Sequence, residues 1–332
     1  MKKILITGAA GFIGFHLALH LKQRGDFVIG IDNFNAYYNP QLKKLRSQQL
    51  KQNQIEVLKE DICSQDAVEA ILKKHKITHC VHLAAQAGVR HSLKAPQDYV
   101  DSNLKGFVSI LEACRKIPNI KFTYASSSSV YGANKKIPFN VTDATDQPTN
   151  LYGATKKANE AIAYAYHHLY GIGITGLRYF TVYGPWGRPD MAYYSFAKKI
   201  SEGLPIQVFN SGKMRRDFTY IDDIVHGTTA AIDLGASHEI FNLGGNRSIE
   251  LIYLIELIEK ALGKKAKKEM YPMQPGEVLE TYADIEKSEK LLNYRPKVSI
   301  EEGIPLFIDW FQRISRRKAL GREEIKSLAI IP

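Results

Sequence analysis

The stretch KKILITGAAGFIG, from Lys2 to Gly14, decides how the first part of the chain folds. Its apolar run Ile4–Ile6 predicts a buried strand, and a helix is predicted to open near Phe12, because apolar residues then recur at helical spacing. Glycines at the turn between them permit a tight bend and a close approach of the backbone to a pyrophosphate, which the helix N-terminus would also attract. The predicted contacts in this turn are Gly8, Gly11, Phe12, Ile13 and Gly14.

An acidic residue after the second predicted strand supports a dinucleotide site. The apolar run Phe27–Ile31 ends at Asp32, about twenty residues past the glycines, where a carboxylate binds ribose hydroxyls. An acid at this place would repel a 2′-phosphate, so the pattern favours NAD over NADP. Asn33 follows where an arginine would have favoured the phosphate, and we predict that both residues contact NAD.

Further cofactor contacts are predicted where later strands end. Asp61 follows the predicted strand Ile55–Leu58, and its carboxylate could reach the adenine amino group or cap the next helix. Small residues follow the predicted strand Thr78–Leu83 and would let a flat ligand approach. Another contact lies on a long predicted helix, Asp98–Cys114. The complete set of later contacts is Asp61, Ile62, Leu83, Ala84, Ala85, Gln86, Asn103, Tyr152, Lys156, Tyr179 and Val182.

Composition argues against several classes of protein. The chain has 332 residues, of which 45% are hydrophobic, enough for a large core or two domains. It contains no apolar run of about 18 residues, so we expect no membrane span. Three scattered cysteines predict free thiols, no metal site and a cytoplasmic protein. The net charge of +11 is concentrated in Lys264–Lys268 and Arg313–Arg322 without interleaved aromatic residues, so nucleic acid is not an expected partner.

The order of the predicted elements indicates the fold class. Strands and helices alternate through the first half, which predicts an α/β fold built on a Rossmann-type, doubly wound parallel sheet. Residues 1–180 are predicted to form the NAD-binding domain, rejoined by about 215–245. Residues 181–332 are predicted to form a smaller mixed α/β domain that binds substrate over the carboxyl ends of the strands.

A serine run and a YxxxK pattern predict the catalytic residues. Ser126–Gly132 (SSSSVYG) follows the fifth predicted strand, and Tyr152 lies four residues before Lys156 at the start of a predicted helix, so both share one face. A nearby ammonium lowers the pKa of a phenol and lets it act as a base near neutral pH. We therefore predict Tyr152 as the base, Lys156 as its activating cation, and Ser127 as a link to a substrate alcohol.

Together these motifs resemble the extended short-chain dehydrogenases/reductases, and within them the nucleotide-sugar epimerases and dehydratases. Nearly the whole chain takes part. The segments are TGAAGFIG (Thr7–Gly14), LAAQAGVRHS (Leu83–Ser92), SSSSVYG (Ser126–Gly132), YGATK (Tyr152–Lys156), RYFTVYGPWGRPDM (Arg178–Met191), GKMRRDFTYIDDIV (Gly212–Val225) and PGEVLETYAD (Pro275–Asp284).

Local features make the chain most similar to the UDP-glucuronate 4-epimerases of that family. Ser128 and Ser129 stand where related dehydratases and decarboxylases carry acids, and Thr181 replaces the asparagine typical of UDP-galactose 4-epimerases. Arg188 lies in GPWGRPDM, which resembles the glucuronate enzymes. One departure is Gly276–Asp284, GEVLETYAD, where those enzymes usually have GDVPATYAD near the nucleotide.

The resemblance implies a 4-epimerase of UDP-sugars that uses NAD catalytically and passes through a 4-keto intermediate. It implies UDP-glucuronate as substrate and UDP-galacturonate as product, with a homodimer formed by the helices Asp98–Cys114 and Leu151–Gly171. The implied substrate contacts are Ser127, Ser128, Ser129, Thr181, Arg188, Arg216 and Arg90. The alternatives are a UDP-glucose/UDP-galactose 4-epimerase, a UDP-glucuronate decarboxylase, a non-catalytic NAD-sensing regulator and a basic binding module.

Overall fold

Twelve strands form three sheets in the described part of the chain, which is residues 1–273 and 278–320 of a computed structural model. The strands are β1 (Lys3–Thr7), β2 (Phe27–Asp32), β3 (Glu56–Lys59), β4 (His79–His82), β5 (Lys121–Ser127), β6 (Gly173–Tyr179), β7 (Thr181–Tyr183), β8 (Ile206–Phe209), β9 (Arg215–Tyr220), β10 (His238–Leu243), β11 (Ser248–Glu250) and β12 (Lys268–Tyr271). The largest sheet has seven strands in the order β10-β6-β5-β4-β1-β2-β3, all of them parallel.

Helices connect these strands and cover them. They are α1 (Phe12–Gln23), α2 (Gln41–Gln52), α3 (Gln65–Lys74), α4 (Val89–Ser92), α5 (Pro96–Tyr99), α6 (Gly106–Arg115), α7 (Leu151–Tyr170), α8 (Ala192–Ser201), α9 (Ile221–Leu234), α10 (Leu251–Leu262), α11 (Glu286–Leu292) and α12 (Ile300–Leu320). Within the described residues no helix has the length and apolar character needed to cross a membrane.

Alternate residues of β1 point into two separate cores. Ile4 and Ile6 belong to one apolar cluster together with Phe15 of α1, whereas Leu5 belongs to a second cluster together with Phe107 of α6. Successive side chains of a strand face opposite sides of the sheet, so β1 is buried on both faces. The result is a layer of helices on each side of the sheet, and the predicted doubly wound α/β fold is confirmed.

Smaller sheets follow the central one. After β6 the chain leaves the main sheet, and β7 pairs in parallel with β9, which pairs antiparallel with β11. Strands β8 and β12 form a separate parallel pair. The sequence patterns did not predict α8, β8 or β12. Gly276 and Glu277 of the unusual loop, and the basic residues beyond Leu320, lie outside the described residues.

One regular helix over Asp98–Cys114 is a wrong prediction. The structure has the short helix α5, then a π-helical turn at Val100–Lys105, and then α6. A π-turn adds one residue per hydrogen-bonded ring, and such turns are frequent at functional sites. Its effect here is that Asn103 reaches two separate segments of chain. The spacing of apolar residues over a single turn does not distinguish an α-helix from a π-helix. The apolar face runs through α5 and α6 on either side of the π-helical turn, so the whole segment resembles one α-helix.

A buried ion pair joins the sheet to α7. Arg178 of β6 and Glu160 of α7 are nearly inaccessible to solvent, and the guanidinium donates to both carboxylate oxygens, at 2.8 and 2.9 Å. The Ser126 hydroxyl of β5 also donates to Glu160, at 2.6 Å. Burial of two charges is tolerated because each polar atom has a partner.

Replacing Glu160 with leucine should lower the free energy of unfolding by about 3–5 kcal/mol, because Arg178 is then left as an unpaired buried charge. The double variant Glu160→Leu/Arg178→Met should recover most of that loss. Urea unfolding measures both. The exposed pair Asp309–Arg313 provides the control, since Asp309→Asn should change stability by less than about 1 kcal/mol. A double variant as unstable as Glu160→Leu would contradict this account.

Candidate active site

A cavity of about 820 Å³ opens at the carboxyl ends of the parallel strands. Its wall contains Gly8 after β1, Asp32 at the end of β2, Leu83 after β4, Ser127 at the end of β5 and Tyr179 at the end of β6. Ligands of open α/β sheets bind at this edge. The geometry therefore makes the cavity the candidate active site.

Most of the predicted site residues meet at this cavity. Those that line it are Gly8, Gly11, Phe12, Ile13, Gly14, Asp32, Asn33, Ile62, Leu83, Ala84, Ala85, Gln86, Arg90, Ser127, Ser128, Ser129, Tyr152, Lys156, Tyr179, Thr181, Val182, Arg188 and Arg216. Asp61 and Asn103 are outside the lining formed by the described residues.

The two outlying residues act on their neighbours. The Asn103 amide accepts from the Gln86 backbone N–H at 2.8 Å and donates to the Gln86 carbonyl and the Thr155 hydroxyl, both at 3.0 Å. It thereby fixes Gln86, which does line the cavity. Asp61 accepts from the Asn33 amide and the Cys63 N–H, each at 2.9 Å. Because α3 begins only at Gln65, the helix-cap interpretation of Asp61 is wrong.

The glycine turn is suited to a phosphate group. A Cβ on Gly14 would overlap the Gly8 carbonyl oxygen, so only glycine lets α1 start this close to β1. No side chain caps the N-terminus of α1, and no acid occupies its first turn. Its free N–H groups and the positive end of its dipole lie at the cavity, which is the arrangement that binds anions at helix N-termini.

Asp32 holds this turn and presents a carboxylate to the cavity. Its oxygens accept from the Ala10 N–H at 3.1 Å and from the Phe34 N–H at 2.8 Å. Burial raises the pKa of Asp32, while the ammonium of Lys43 and the two N–H donors act against that rise. The turn and this carboxylate together fit the diphosphate and a ribose of a dinucleotide.

Several residues of the wall were missed by sequence reasoning. Lys43 lines the cavity beside Asp32 and donates to the Asn35 side chain at 2.7 Å. Asp190 and Phe209 line it as well. Asp190 belongs to the GPWGRPDM segment, but only Arg188 of that segment was predicted to bind. Lys43 and Phe209 belong to none of the predicted motifs and are brought to the cavity by packing between distant parts of the chain.

Tyr152 and Lys156 lie in the first turns of α7. Asn150 starts this helix by accepting from the Gly153 N–H at 2.9 Å. Gly153 packs against the Ser129 carbonyl at a distance that leaves no room for a Cβ, so the helix lies directly on the serine segment. Tyr152 and Lys156 therefore reach the cavity together.

The predicted effect of Lys156 on Tyr152 is not what the structure shows. Burial raises the pKa of Tyr152, and the opposing influences are hydrogen bonding with Ser127 and the positive charge of Arg188. The Lys156 ammonium instead donates to the Ala125 carbonyl at 2.8 Å, and burial lowers its pKa to about 8. The spacing of a YxxxK pattern places both groups on one helix face, but it does not fix where the ammonium points.

Arg188 lies deep in the wall and is held by a carboxylate. Its Nε and Nη2 donate to Asp190, at 3.1 and 2.5 Å, and Nη2 also donates to the Ala87 carbonyl. The Tyr37 hydroxyl donates to the same carboxylate at 2.9 Å. Since Nη1 takes no part in these bonds, the arginine keeps donors for another group.

Two further arginines lie at the far part of the cavity. Arg216 donates from Nη1 to the Arg215 carbonyl at 2.8 Å and to the Leu279 carbonyl at 3.3 Å. The guanidinium carbon of Arg90 lies 4.8 Å from the centre of the Phe209 ring. The cavity thus contains the Tyr152 phenol beside Ser127 and three arginines along its wall. This combination suits an anionic ligand that carries hydroxyl groups.

Comparison with known proteins identifies the family. Residues 4–244 match the family described as NAD dependent epimerase/dehydratase. The chain belongs to that family. The resemblance inferred from the sequence is thereby confirmed, as are the enzyme class and NAD as cofactor.

Two relatives of this NAD-dependent epimerase/dehydratase are similar to it over most of their length. UDP-glucuronate 4-epimerase 4 of Arabidopsis thaliana is 46% identical over 326 residues, which are 93% of this chain and 75% of that protein. An uncharacterized protein of Methanocaldococcus jannaschii is 54% identical over 313 residues, covering 93% and 96% of the two chains.

Solved structures of similar proteins share the fold. The UDP-glucuronic acid 4-epimerase of Bacillus cereus, in complex with UDP-glucuronic acid and NAD, gives a TM-score of 0.87 at 39% identity and covers 94% of this chain and all of that one. The UDP-glucose 4-epimerase of Thermotoga maritima, with UDP-glucose, gives 0.87 at 30% identity over 95% and 100% of the chains.

Replacing Lys156 with methionine should stabilise the cofactor-free protein at pH 7, and this gain should fade as the pH rises. Below pH 8 the lysine is charged in both folded and unfolded states, and its burial disfavours only the folded one. Between about pH 8 and 10.5 the folded lysine loses its proton first, so the penalty disappears. A pKa lowered from 10.5 to about 8 corresponds to about 3 kcal/mol.

Urea unfolding at pH 7 and pH 10.5 measures this difference for the wild type and for Lys156→Met. Lys157→Met is the matched control, because that neighbouring side chain is about one-third exposed and should show no such change with pH. A gain of equal size at both pH values would contradict the assignment of the buried ammonium.

Proposed function

We propose that this enzyme converts UDP-glucuronate to UDP-galacturonate by inverting C4, with NAD bound throughout. The observation that carries the proposal is the grouping of Ser127, Tyr152 and Lys156 beside hydroxyl groups and an arginine at one wall of the cavity. Its support comes also from the relatives, since the Arabidopsis protein and the B. cereus protein are both named for UDP-glucuronate epimerisation.

We assign the proton transfer at C4 to Tyr152. When bound, NAD supplies a reversible acceptor for the hydrogen of C4. Tyr152 acts in its phenolate form, which the Ser127 hydrogen bond and the charge of Arg188 favour against burial. The phenolate takes the proton of the C4 hydroxyl and later returns it, and the Ser127 hydroxyl holds the C4 oxygen beside it. With its pKa at about 8, Lys156 is mostly charged at pH 7 and can donate to ribose hydroxyls of the cofactor.

The sugar carboxylate requires its own contacts. A 4-keto uronic acid is a β-keto acid and loses CO2 readily, so the site must hold the carboxylate in an orientation that disfavours the loss. We propose that the hydroxyl groups of Ser128, Ser129 and Thr181 bind it, with Arg188 adding a charge-assisted hydrogen bond. Asp190 keeps that guanidinium in place.

The remaining contacts divide between diphosphate and cofactor. Arg216 and Arg90 are assigned to the diphosphate of the nucleotide sugar. The residues proposed to bind NAD are Gly8, Gly11, Phe12, Ile13, Gly14, Asp32, Asn33, Asp61, Ile62, Leu83, Ala84, Ala85, Gln86, Asn103, Tyr152, Lys156, Tyr179 and Val182. Residues 1–180 and about 215–245 would then form the NAD-binding domain, and most of the rest the sugar-nucleotide domain.

The cellular setting is also a proposal. Cys63, Cys80 and Cys114 are free thiols, which suits the reducing cytoplasm. A homodimer is proposed to form through α6 and α7, because Tyr164 and Leu169 leave apolar side chains exposed on α7.

The decisive experiment is to incubate the purified protein with UDP-glucuronate, without added NAD, and to resolve the nucleotide sugars. We expect turnover without added NAD, because the cofactor stays bound. The product should be UDP-galacturonate with negligible UDP-pentose, because the site holds the sugar carboxylate in an orientation that disfavours loss of CO2. A UDP-pentose as main product would indicate a decarboxylase. Turnover of UDP-glucose in place of UDP-glucuronate would show that Thr181 and Arg188 do not select a uronic acid.

Replacing Tyr152 with phenylalanine should lower kcat by at least about a hundredfold, because no other group takes up the C4 proton. Bound NAD should remain, as measured by the cofactor released on denaturation. Tyr164→Phe, on the same helix, is the control: it removes a hydroxyl outside the cavity and keeps the ring that we assign to the dimer interface, so kcat should be unchanged. Near-normal turnover in Tyr152→Phe would exclude this residue as the base.

A further inference from the structure

Arg46 of α2 is a completely buried cation. Its guanidinium forms no ion pair with an acid of the described residues, and its charge acts on the Asp32 carboxylate only through space. Nη1 donates to the Ala10 carbonyl at 3.0 Å and to the Tyr38 hydroxyl at 2.9 Å. Nη2 donates to the Gly187 carbonyl at 3.2 Å and to that of Trp186. A single guanidinium thus joins two distant parts of the chain.

The use of arginine here is costly. A buried charge is tolerated only when its donors are satisfied, and Nε of Arg46 has no partner. A hydrophobic side chain of similar volume often serves stability equally well at such a site. Three of the four acceptors are backbone carbonyls. Unlike an apolar residue, arginine can therefore fix the position of one backbone segment relative to another.

The first of these segments is the glycine turn. Ala10 is held from both sides, because its N–H donates to Asp32 and its carbonyl accepts from Arg46. Asp32 and the glycines on either side of Ala10 line the cavity. A shift of Ala10 would therefore move groups that we assign to the dinucleotide.

The second is Pro185–Asp190, here called the clamp segment. Trp186 has a left-handed backbone (φ +59°), which is unusual for a bulky residue and needs support from its surroundings. Its ring packs between Phe15 and Trp310, with ring centres at 5.2 and 5.6 Å. Arg46 binds the carbonyl of this residue, two positions before Arg188.

Other bonds hold the clamp segment on the same side. The His16 ring lies 3.0 Å from the Pro185 carbonyl, and its burial lowers its pKa to about 4, so it is neutral and donates. Tyr37 donates to Asp190, and Arg188 donates to Ala87. Arg46 is the one group of these that also binds the glycine turn.

We propose that Arg46 is a positioning residue that fixes the clamp segment relative to the glycine turn, so that Arg188 meets the sugar carboxylate at a set distance from the bound dinucleotide. This inference rests on the proposed function. It assigns to Arg46 no contact with substrate. Loss of the link should displace the carboxylate while leaving the UDP part of the site intact.

The test compares Arg46→Met, Arg46→Lys and the control Leu50→Ala. Leu50 is a buried residue of the same helix, so its truncation destabilises α2 without removing a bond to either segment. We measure KM for UDP-glucuronate, the inhibition constant of UDP, the share of product that is UDP-pentose, and NAD per chain. Arg46→Met should raise KM about tenfold, with the inhibition constant of UDP unchanged.

Arg46→Met should also form more UDP-pentose and retain less NAD than Leu50→Ala. Arg46→Lys keeps a cation that can reach some of the carbonyls and should fall between wild type and Arg46→Met. The ratio of KM for UDP-glucuronate to the inhibition constant of UDP separates the two roles of Arg46. If Arg46→Met does not fold, this ratio is measured for Arg46→Lys. A ratio equal to that of Leu50→Ala would reduce Arg46 to a structural role and overturn the inference.

Failure of the proposed function has a different signature. A wild-type protein that does not convert UDP-glucuronate contradicts the proposed function alone. NAD per chain then decides the inference, because the link to Ala10 does not depend on the sugar. Equal NAD content in Arg46→Met and Leu50→Ala would overturn it.

Discussion

Parallel pairing of seven strands is the constraint on which the rest of the structure depends. Parallel strands all end at one edge, so residues far apart in sequence meet there. Because β1 lies between β2 and β4, Gly8, Asp32 and Leu83 become neighbours. The pairing of β4 with β5 and of β5 with β6 then adds Ser127 and Tyr179 to the same edge.

Buried charge is the second feature that shapes the site. Arg178 is neutralised by Glu160, and Arg188 is held by Asp190, so both cations are fixed in direction as well as in place. Lys156 has no carboxylate partner recorded within the described residues, and its pKa falls accordingly. The Arg46 guanidinium donates instead to three backbone carbonyls and the Tyr38 hydroxyl, while its Nε has no partner. Of these four cations, Lys156 and Arg188 line the cavity, where positive charge suits an anionic sugar nucleotide.

The catalytic residues could be predicted from local patterns, whereas their electrostatics could not. A tyrosine and a lysine four residues apart share a helix face wherever that helix packs. The pKa of the tyrosine depends on what surrounds it in three dimensions, namely burial, Ser127 and an arginine 36 positions away in the chain. Asn103 illustrates the same limit, since the π-turn directs its amide to Gln86 and Thr155.

The sequence by itself determined the α/β sheet, the glycine turn with Asp32, the serine segment and the Tyr152–Lys156 pair. Each of these could be predicted because its signal is a pattern of residues close in the chain: an apolar strand followed by a turn, or two residues on one helix face. Only the tertiary structure decided that Lys156 donates to Ala125, that Arg188 donates to Ala87, and that Arg46 joins the glycine turn to the clamp segment. Those contacts link elements up to 141 positions apart, and they arise from packing and the need to satisfy buried charge, which no local spacing encodes.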